Sequence, residues 1–223
     1  MRKIAFITGE YYHIYNRGVD KREIFSDRFD VMRFFESLRE FNNVNEVGSL
    51  YQQSFRKKED SLSPLGTKSE ALVDIIAFCL LGNHFHLILK PRFDDSISKY
   101  MQKVSAGYTR YFNDKYERVG SLFQGVFKAS HIDTDEYLQK VVAYVNLNFL
   151  VHNQKIKFMK PELLSSWSYY SSGVQNLHLS CVNDNAVFPN NHSDYKIQAM
   201  NALKETLQRR NLDDEYMKDE LFE

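Results

Sequence analysis

The chain has 223 residues, 43% of them hydrophobic and 14% aromatic, which suits one globular domain with appendages and excludes a largely disordered protein. Lysine plus arginine equals aspartate plus glutamate at 29 each, which excludes a surface coated in positive charge. No apolar run approaches the roughly 18 to 20 residues of a membrane span, the apolar stretch of MRKIAFITGEYYH is too short for a signal peptide, and Cys79 and Cys181 form no closely spaced pair.

The first element in chain order is EYYHIYNR. Its alternation predicts a strand over 10–17, closed by a turn at Gly18. Tyr11, His13, Tyr15 and Arg17 share one face of it, and Tyr12, Ile14 and Asn16 the other. Ser26 reads as an N-cap, and Val31, Phe34, Phe35, Leu38 and Phe41 predict an amphipathic helix over 27–42. Residues 43–72 are polar and weakly patterned, a long excursion between core elements. LVDIIAFCLLGNHFHLILKP then predicts a central hairpin, with strands over 72–80 and 84–90 and a tight turn between them.

Apolar residues at three-to-four spacing predict a helix over 95–116, ended near Gly120. SLFQGVFKASHI is short and strand-like. A second helix follows over 134–148, with Asp133 as N-cap and Glu136 in a capping box. SSWSYYSSG reads as a compact aromatic turn. Residues 174–223 end in a charged helix, 193–211, and an acidic tip. The element order implies an α+β domain over 1–173, an antiparallel sheet with helices mainly on one face, followed by a C-terminal extension over 174–223.

His84 and His86 stand two apart in the second hairpin strand. They share a face at a separation of about 7 Å, and Phe85 points the opposite way into packing. Two readings stay open on spacing alone: histidines bonded to sheet neighbours, or two ligands of one divalent cation. No His-Glu-x-x-His or cysteine cluster offers a zinc set. An additional oxygen ligand would suit an octahedral ion such as Mg²⁺ or Mn²⁺. On the helix over 134–148, Tyr144 and Asn148 are four apart and share a face. Asn148 is a candidate oxygen ligand and Tyr144 a candidate phenolate nucleophile toward a phosphodiester, with Tyr108 and Tyr111 as rivals on the preceding helix.

Four blocks in this order, GEYYHIYNRGVDKREIF, CLLGNHFHLILK, GYTRYFNDKYERVGSLFQGVFK and EYLQKVVAYVNLNF, resemble the single-tyrosine HUH transposases, and among them the REP-associated tyrosine transposases. The resemblance covers residues 9–152, and SSWSYYSS resembles a further aromatic block of that branch. It implies a ferredoxin-like α+β fold of the HUH-endonuclease type. It also implies metal-dependent cleavage and rejoining of single-stranded DNA at hairpin-flanked sites through a 5′-phosphotyrosine, with Mg²⁺ or Mn²⁺ as cofactor. His84 and His86 fall on the metal-binding pair, Tyr144 on the nucleophile and Asn148 on the third ligand. Arg17, Lys21, Arg22, Arg110, Lys115, Arg118, Gln124 and Lys128 are candidate DNA contacts, and Tyr12, Tyr15 and Phe123 candidate stacking platforms.

A cytoplasmic, nucleoid-associated protein is expected, with a monomer favoured and a dimer as the alternative. Two departures from the branch stand out: Phe149 where it has proline and Val126 where it often has arginine. They leave open a hairpin-DNA-binding protein with weakened catalysis. A metal-dependent phosphodiesterase working without a covalent intermediate is the other alternative.

Overall fold

Strand β1 (Tyr11–Arg17) sends alternate side chains into two separate cores: Tyr12 and Ile14 to one, Tyr11 to the other. The computed structural model describes residues 5–45, 70–151, 156–160, 163–176, 178–181 and 191–213. Most of the polar excursion (46–69) and the acidic tip (214–223) lie outside the described residues.

β1 lies between β3 (His84–Pro91) and β4 (Lys128–Ile132), and β2 (Val73–Leu81) flanks β3. Every pairing is antiparallel, in the order β2-β3-β1-β4. Helix α1 (Arg28–Glu40) joins β1 to β2, and α2 (Ser96–Lys115) joins β3 to β4. This β-α-β-β-α-β path is the ferredoxin-like arrangement, so the predicted α+β class holds. Helices α3 (Asp135–Val151), α4 (Trp167–Ser172) and α5 (His192–Asp213) follow.

The helices divide between the two faces of the sheet instead of lying mainly on one. Phe78, Leu80, Phe85, Leu87 and Leu89 pack against α1 and α2, while Ile76, Cys79, Leu81 and Ile88 pack against α3 and its neighbours. The signal was in the sequence. β2 and β3 are almost uninterrupted apolar runs, which is what strands covered on both sides require. Phe85 anchors β3 on the α1 side, its ring 5.1 Å from that of Phe34. Gly107 lets α2 approach closely, since a Cβ there would stand 2.5 Å from the Phe41 ring.

Local chemistry sets the boundaries. Asp27, not Ser26, caps α1: its carboxylate accepts from the Phe29 and Asp30 amides, and Asp30 reciprocates in a capping box. Thr134, not Asp133, caps α3, its Oγ1 accepting from the Tyr137 amide at 3.2 Å. α3 runs on through Val151, so Asn148 lies inside a helix and not at its end. The predicted aromatic turn is the short helix α4, stopped by Gly173 in the left-handed conformation at φ 75°.

α3 is fixed from behind by buried polar bonds. Asn146 Nδ2 donates to Tyr195 Oη on α5 at 2.8 Å, and Asn146 Oδ1 accepts from Ser166 Oγ. Ser166 Oγ in turn accepts from the Phe78 amide of β2 at 3.0 Å.

Candidate active site

The central strand pair places the site. β1 and β3 run in a register that sets Tyr15 opposite His86 and Arg17 opposite His84. His84 and His86 emerge on the α3 face with ring centroids 5.2 Å apart and planes at 84°. Tyr144 comes down from α3 with its ring edge-on to His86 at 6.0 Å and to His13 at 6.5 Å. Residues from β1, β3 and α3 thus meet at one spot, some sixty positions apart in sequence.

His84, His86 and Tyr144 line a cleft of about 250 Å³. Arg17, Lys21 and Lys128 supply cations to its wall, Asn16, Asn83 and Gln124 supply amides, and Tyr15 supplies an aromatic ring. Among the described residues no carboxylate lines it. A chain with zero formal net charge therefore carries a cationic cleft. Arg17 is held in place by Gln124, whose Oε1 accepts from Arg17 Nε at 2.6 Å and whose amide donates to the Arg17 carbonyl at 2.8 Å. Lys21 sits in a left-handed backbone conformation, φ 59°, next to Asp20 at φ 55°. Such conformations cost about 1 kcal/mol or more each. Asn83 supports this turn by donating from Nδ2 to the Lys21 carbonyl at 3.0 Å.

Both histidines are held through their Nδ1 atoms. His84 Nδ1 lies 2.5 Å from Asn83 Oδ1, and His86 Nδ1 lies 2.9 Å from His13 Nε2. Burial pushes the His13 imidazole down to about 4, so it is neutral near pH 7. Burial pushes the Tyr15 phenol up, against a hydrogen bond with Ser130.

Asn148 is fully buried one turn beyond Tyr144, and neither Nδ2 nor Oδ1 has a hydrogen-bond partner among the described residues. The next residue, Phe149, hydrogen-bonds through its backbone to the Cys79 sulfur, and Cys79 is the strand partner of His86. The C-terminal half of α3 therefore passes over β2 beside His86, and Asn148 itself is not on the cleft wall.

This donor set fits a divalent cation. The two imidazoles hold their Nδ1 atoms away, as metal-ligating histidines do. An orphaned buried amide costs about 1 to 3 kcal/mol, which a bound cation would offset. Among the described residues no three His, Cys, Asp or Glu side chains are placed to hold one metal ion together, so a further protein ligand would be of another type, such as an amide oxygen.

Residues 63–148 match the family model described as Transposase IS200 like. Over this stretch the chain is IS200-transposase-like. The match takes in His84, His86, Gln124, Lys128, Tyr144 and Asn148, and leaves out β1 with His13 and Arg17. A REP-associated tyrosine transposase solved bound to a REP hairpin aligns at a TM-score of 0.48 and 15% identity, over 83% of this chain and 94% of that one. No curated protein matches the chain.

Four of the eight candidate DNA contacts reach the cleft, two of them, Gln124 and Lys128, from the IS200-like stretch and the others, Arg17 and Lys21, from β1 and the turn after it. The other four are engaged elsewhere. Arg22 pairs with Asp20, Arg110 with Asp114, and Lys115 with Asp27 and Asp30, while Arg118 donates to Asn113. Of the three stacking candidates, Tyr12 and Phe123 are buried in the core, and Tyr15 alone lines the cleft. Tyr108 and Tyr111 belong to the opposite layer, where Tyr108 donates to the Ile24 carbonyl and Tyr111 to Asp30. Val126 is 75% exposed two residues before Lys128, and Phe149 packs partly buried against the core around α3.

Sequence reasoning missed His13 and Asn83 as site residues. His13 was visible as a neighbour of Tyr15 on one strand face, but its link to His86 depends on the β1–β3 register. Asn83 falls in the tight hairpin turn, where its sequence position signals chain reversal and nothing more.

Proposed function

We propose that this protein cleaves and rejoins single-stranded DNA at hairpin-flanked sites, in a divalent-metal-dependent reaction that passes through a 5′-phosphotyrosine on Tyr144. The observation that carries this reading is the place of Tyr144. It lies edge-on to His86 and lines one cationic cleft with His84 and His86, in a stretch matching the IS200-like transposases. The hairpin preference rests on the sequence resemblance.

In this reading the Tyr144 phenolate oxygen forms a bond to the scissile phosphorus as the P–O3′ bond breaks. The phenol proton passes to solvent, and the leaving 3′ oxygen takes one up. One phosphodiester replaces another, so the free 3′-OH can attack back and restore a DNA strand. His84 and His86, with Asn148 as the candidate third ligand, would hold Mg²⁺ or Mn²⁺, and a cation bound there would polarise the scissile phosphate and offset charge in the transition state. Arg17, Lys21 and Lys128 hold flanking phosphates, and Gln124 positions Arg17. Tyr15 offers a face for an unpaired base. One chain supplies the histidine pair and Tyr144 together, which supports a monomer as the working unit.

The test is incubation with end-labelled hairpin-bearing single-stranded DNA and Mg²⁺ or Mn²⁺, resolved on a denaturing gel. The expected product is a covalent protein–DNA adduct that disappears in Tyr144→Phe. Adduct formation that survives Tyr144→Phe removes Tyr144 as nucleophile. The exposed, uncharged Val126, two residues before Lys128, favours one rival, a hairpin binder with weakened catalysis. That rival predicts retained binding of the same DNA with no adduct in the wild type. Cleavage with no covalent intermediate would instead point to a plain phosphodiesterase.

A further inference from the structure

We infer that His13 is a positioning residue that selects the tautomer of His86 and so leaves a lone pair on His86 Nε2. The inference rests on the metal-clamp reading above. His13 is 5% exposed and does not line the cleft, so it acts through its neighbour. Its Nε2 lies 2.9 Å from His86 Nδ1, with the two rings stacked at 5.1 Å and 19°. In register His13 faces Ile88 and Tyr15 faces His86, so the bond runs diagonally between the two central strands.

Two neutral imidazoles that share one hydrogen bond have two arrangements. If His13 Nε2–H donates, His86 carries its proton on Nε2, the atom that would face a cation. If His86 Nδ1–H donates to a bare His13 Nε2, the His86 Nε2 lone pair is left for a metal. Only the second arrangement is a ligand. His84 meets the same requirement by another route, because Asn83 Oδ1 can only accept and so keeps the His84 proton on Nδ1. His13 does the same for His86 when its own proton sits on Nδ1 and its Nε2 accepts. Outer partners of this kind change metal affinity about 10- to 100-fold.

The experiment uses the full chain, with long-range ¹⁵N–¹H correlation spectra of metal-free protein and Mn²⁺ titration calorimetry. Wild type is expected to show His86 protonated on Nδ1. His13→Gln, whose Oε1 can accept the same bond, should keep that tautomer and an Mn²⁺ affinity close to wild type. His13→Leu should shift His86 toward the Nε2–H form and weaken Mn²⁺ about 10- to 100-fold, with the thermal midpoint recorded alongside. If His13→Leu fails to fold, the wild-type spectrum and the His13→Gln affinity decide. Mn²⁺ binding by a wild type whose His86 carries its proton on Nε2, or equal affinities in wild type and His13→Leu, would overturn the role of His13 alone. A wild-type protein that takes up no Mn²⁺ overturns the clamp itself.

Discussion

Asn148 is a buried polar side chain whose amide has no hydrogen-bond partner among the described residues, and residues like it are where stability and function come apart. A leucine of similar size would remove the unsatisfied amide. Asn148→Leu is therefore expected to leave the thermal midpoint unchanged or raise it by the equivalent of about 1 kcal/mol. The same substitution should weaken Mn²⁺ binding in calorimetry. Unchanged affinity would take Asn148 out of the ligand set. A purely structural asparagine would show the opposite sign, losing stability with no effect on metal. Strand periodicity made the histidine pair legible as two residues on one face, while it was the family resemblance that singled out Tyr144 from its rivals Tyr108 and Tyr111. His13 was not legible as their partner. Pairing register between distant strands is a tertiary fact that no local spacing carries.

The α1 N-terminus shows how an element end binds to a neighbouring helix. Asp30 is fully buried and accepts from the Ser26 and Asp27 amides, from Tyr111 and Tyr116, and from Lys115. Lys115 also reaches Asp27 at 2.7 Å, so the end of α2 is tied to the start of α1. Burial alone would raise the Asp27 carboxyl. The bond and charge of Lys115, with the Asp30 and Phe29 amides, outweigh it and hold the group below its ordinary value near 3.8. A depressed carboxylate stabilises the fold above its unfolded pKa, and that contribution is lost as pH falls through the lower folded value. Below about pH 3.8 the wild-type melting temperature should therefore fall more steeply than that of Asp27→Asn. Parallel curves would show that the contact adds nothing. Lys115 is likewise held above its usual range: burial opposes the shift, and its bonds to Asp27 and Asp30 outweigh it, so its contribution persists through neutral pH and fades only in strong alkali. The predicted helix cores were correct, but their ends moved, because Ser26 and Asp133 look like caps in sequence while Asp27 and Thr134 meet the amides in space.

Across the whole molecule, charge is separated without being in surplus. Arg17, Lys21 and Lys128 face the cleft, and the other candidate cations make contacts elsewhere. Binding of single-stranded DNA should therefore depend on salt through about three phosphates, a slope of log K against log salt near −2. Fluorescence anisotropy over a salt series measures it, and a slope beyond about −4 would mean that cations outside the cleft also bind. The two-residue hairpin turn has a further consequence. The Gly82 carbonyl accepts from the Ile24 and Phe25 amides, the Asn83 carbonyl from the Gly18 amide, and the Asn83 side chain joins the Lys21 carbonyl to the His84 ring. A phosphate drawn to Lys21 and a cation drawn to His84 thus pull on the same carboxamide. Thermodynamic reciprocity then requires that DNA tighten metal binding by the same factor as metal tightens DNA binding. Asn83→Ala should lower that factor, leaving only the coupling that runs directly between the cation and the scissile phosphate.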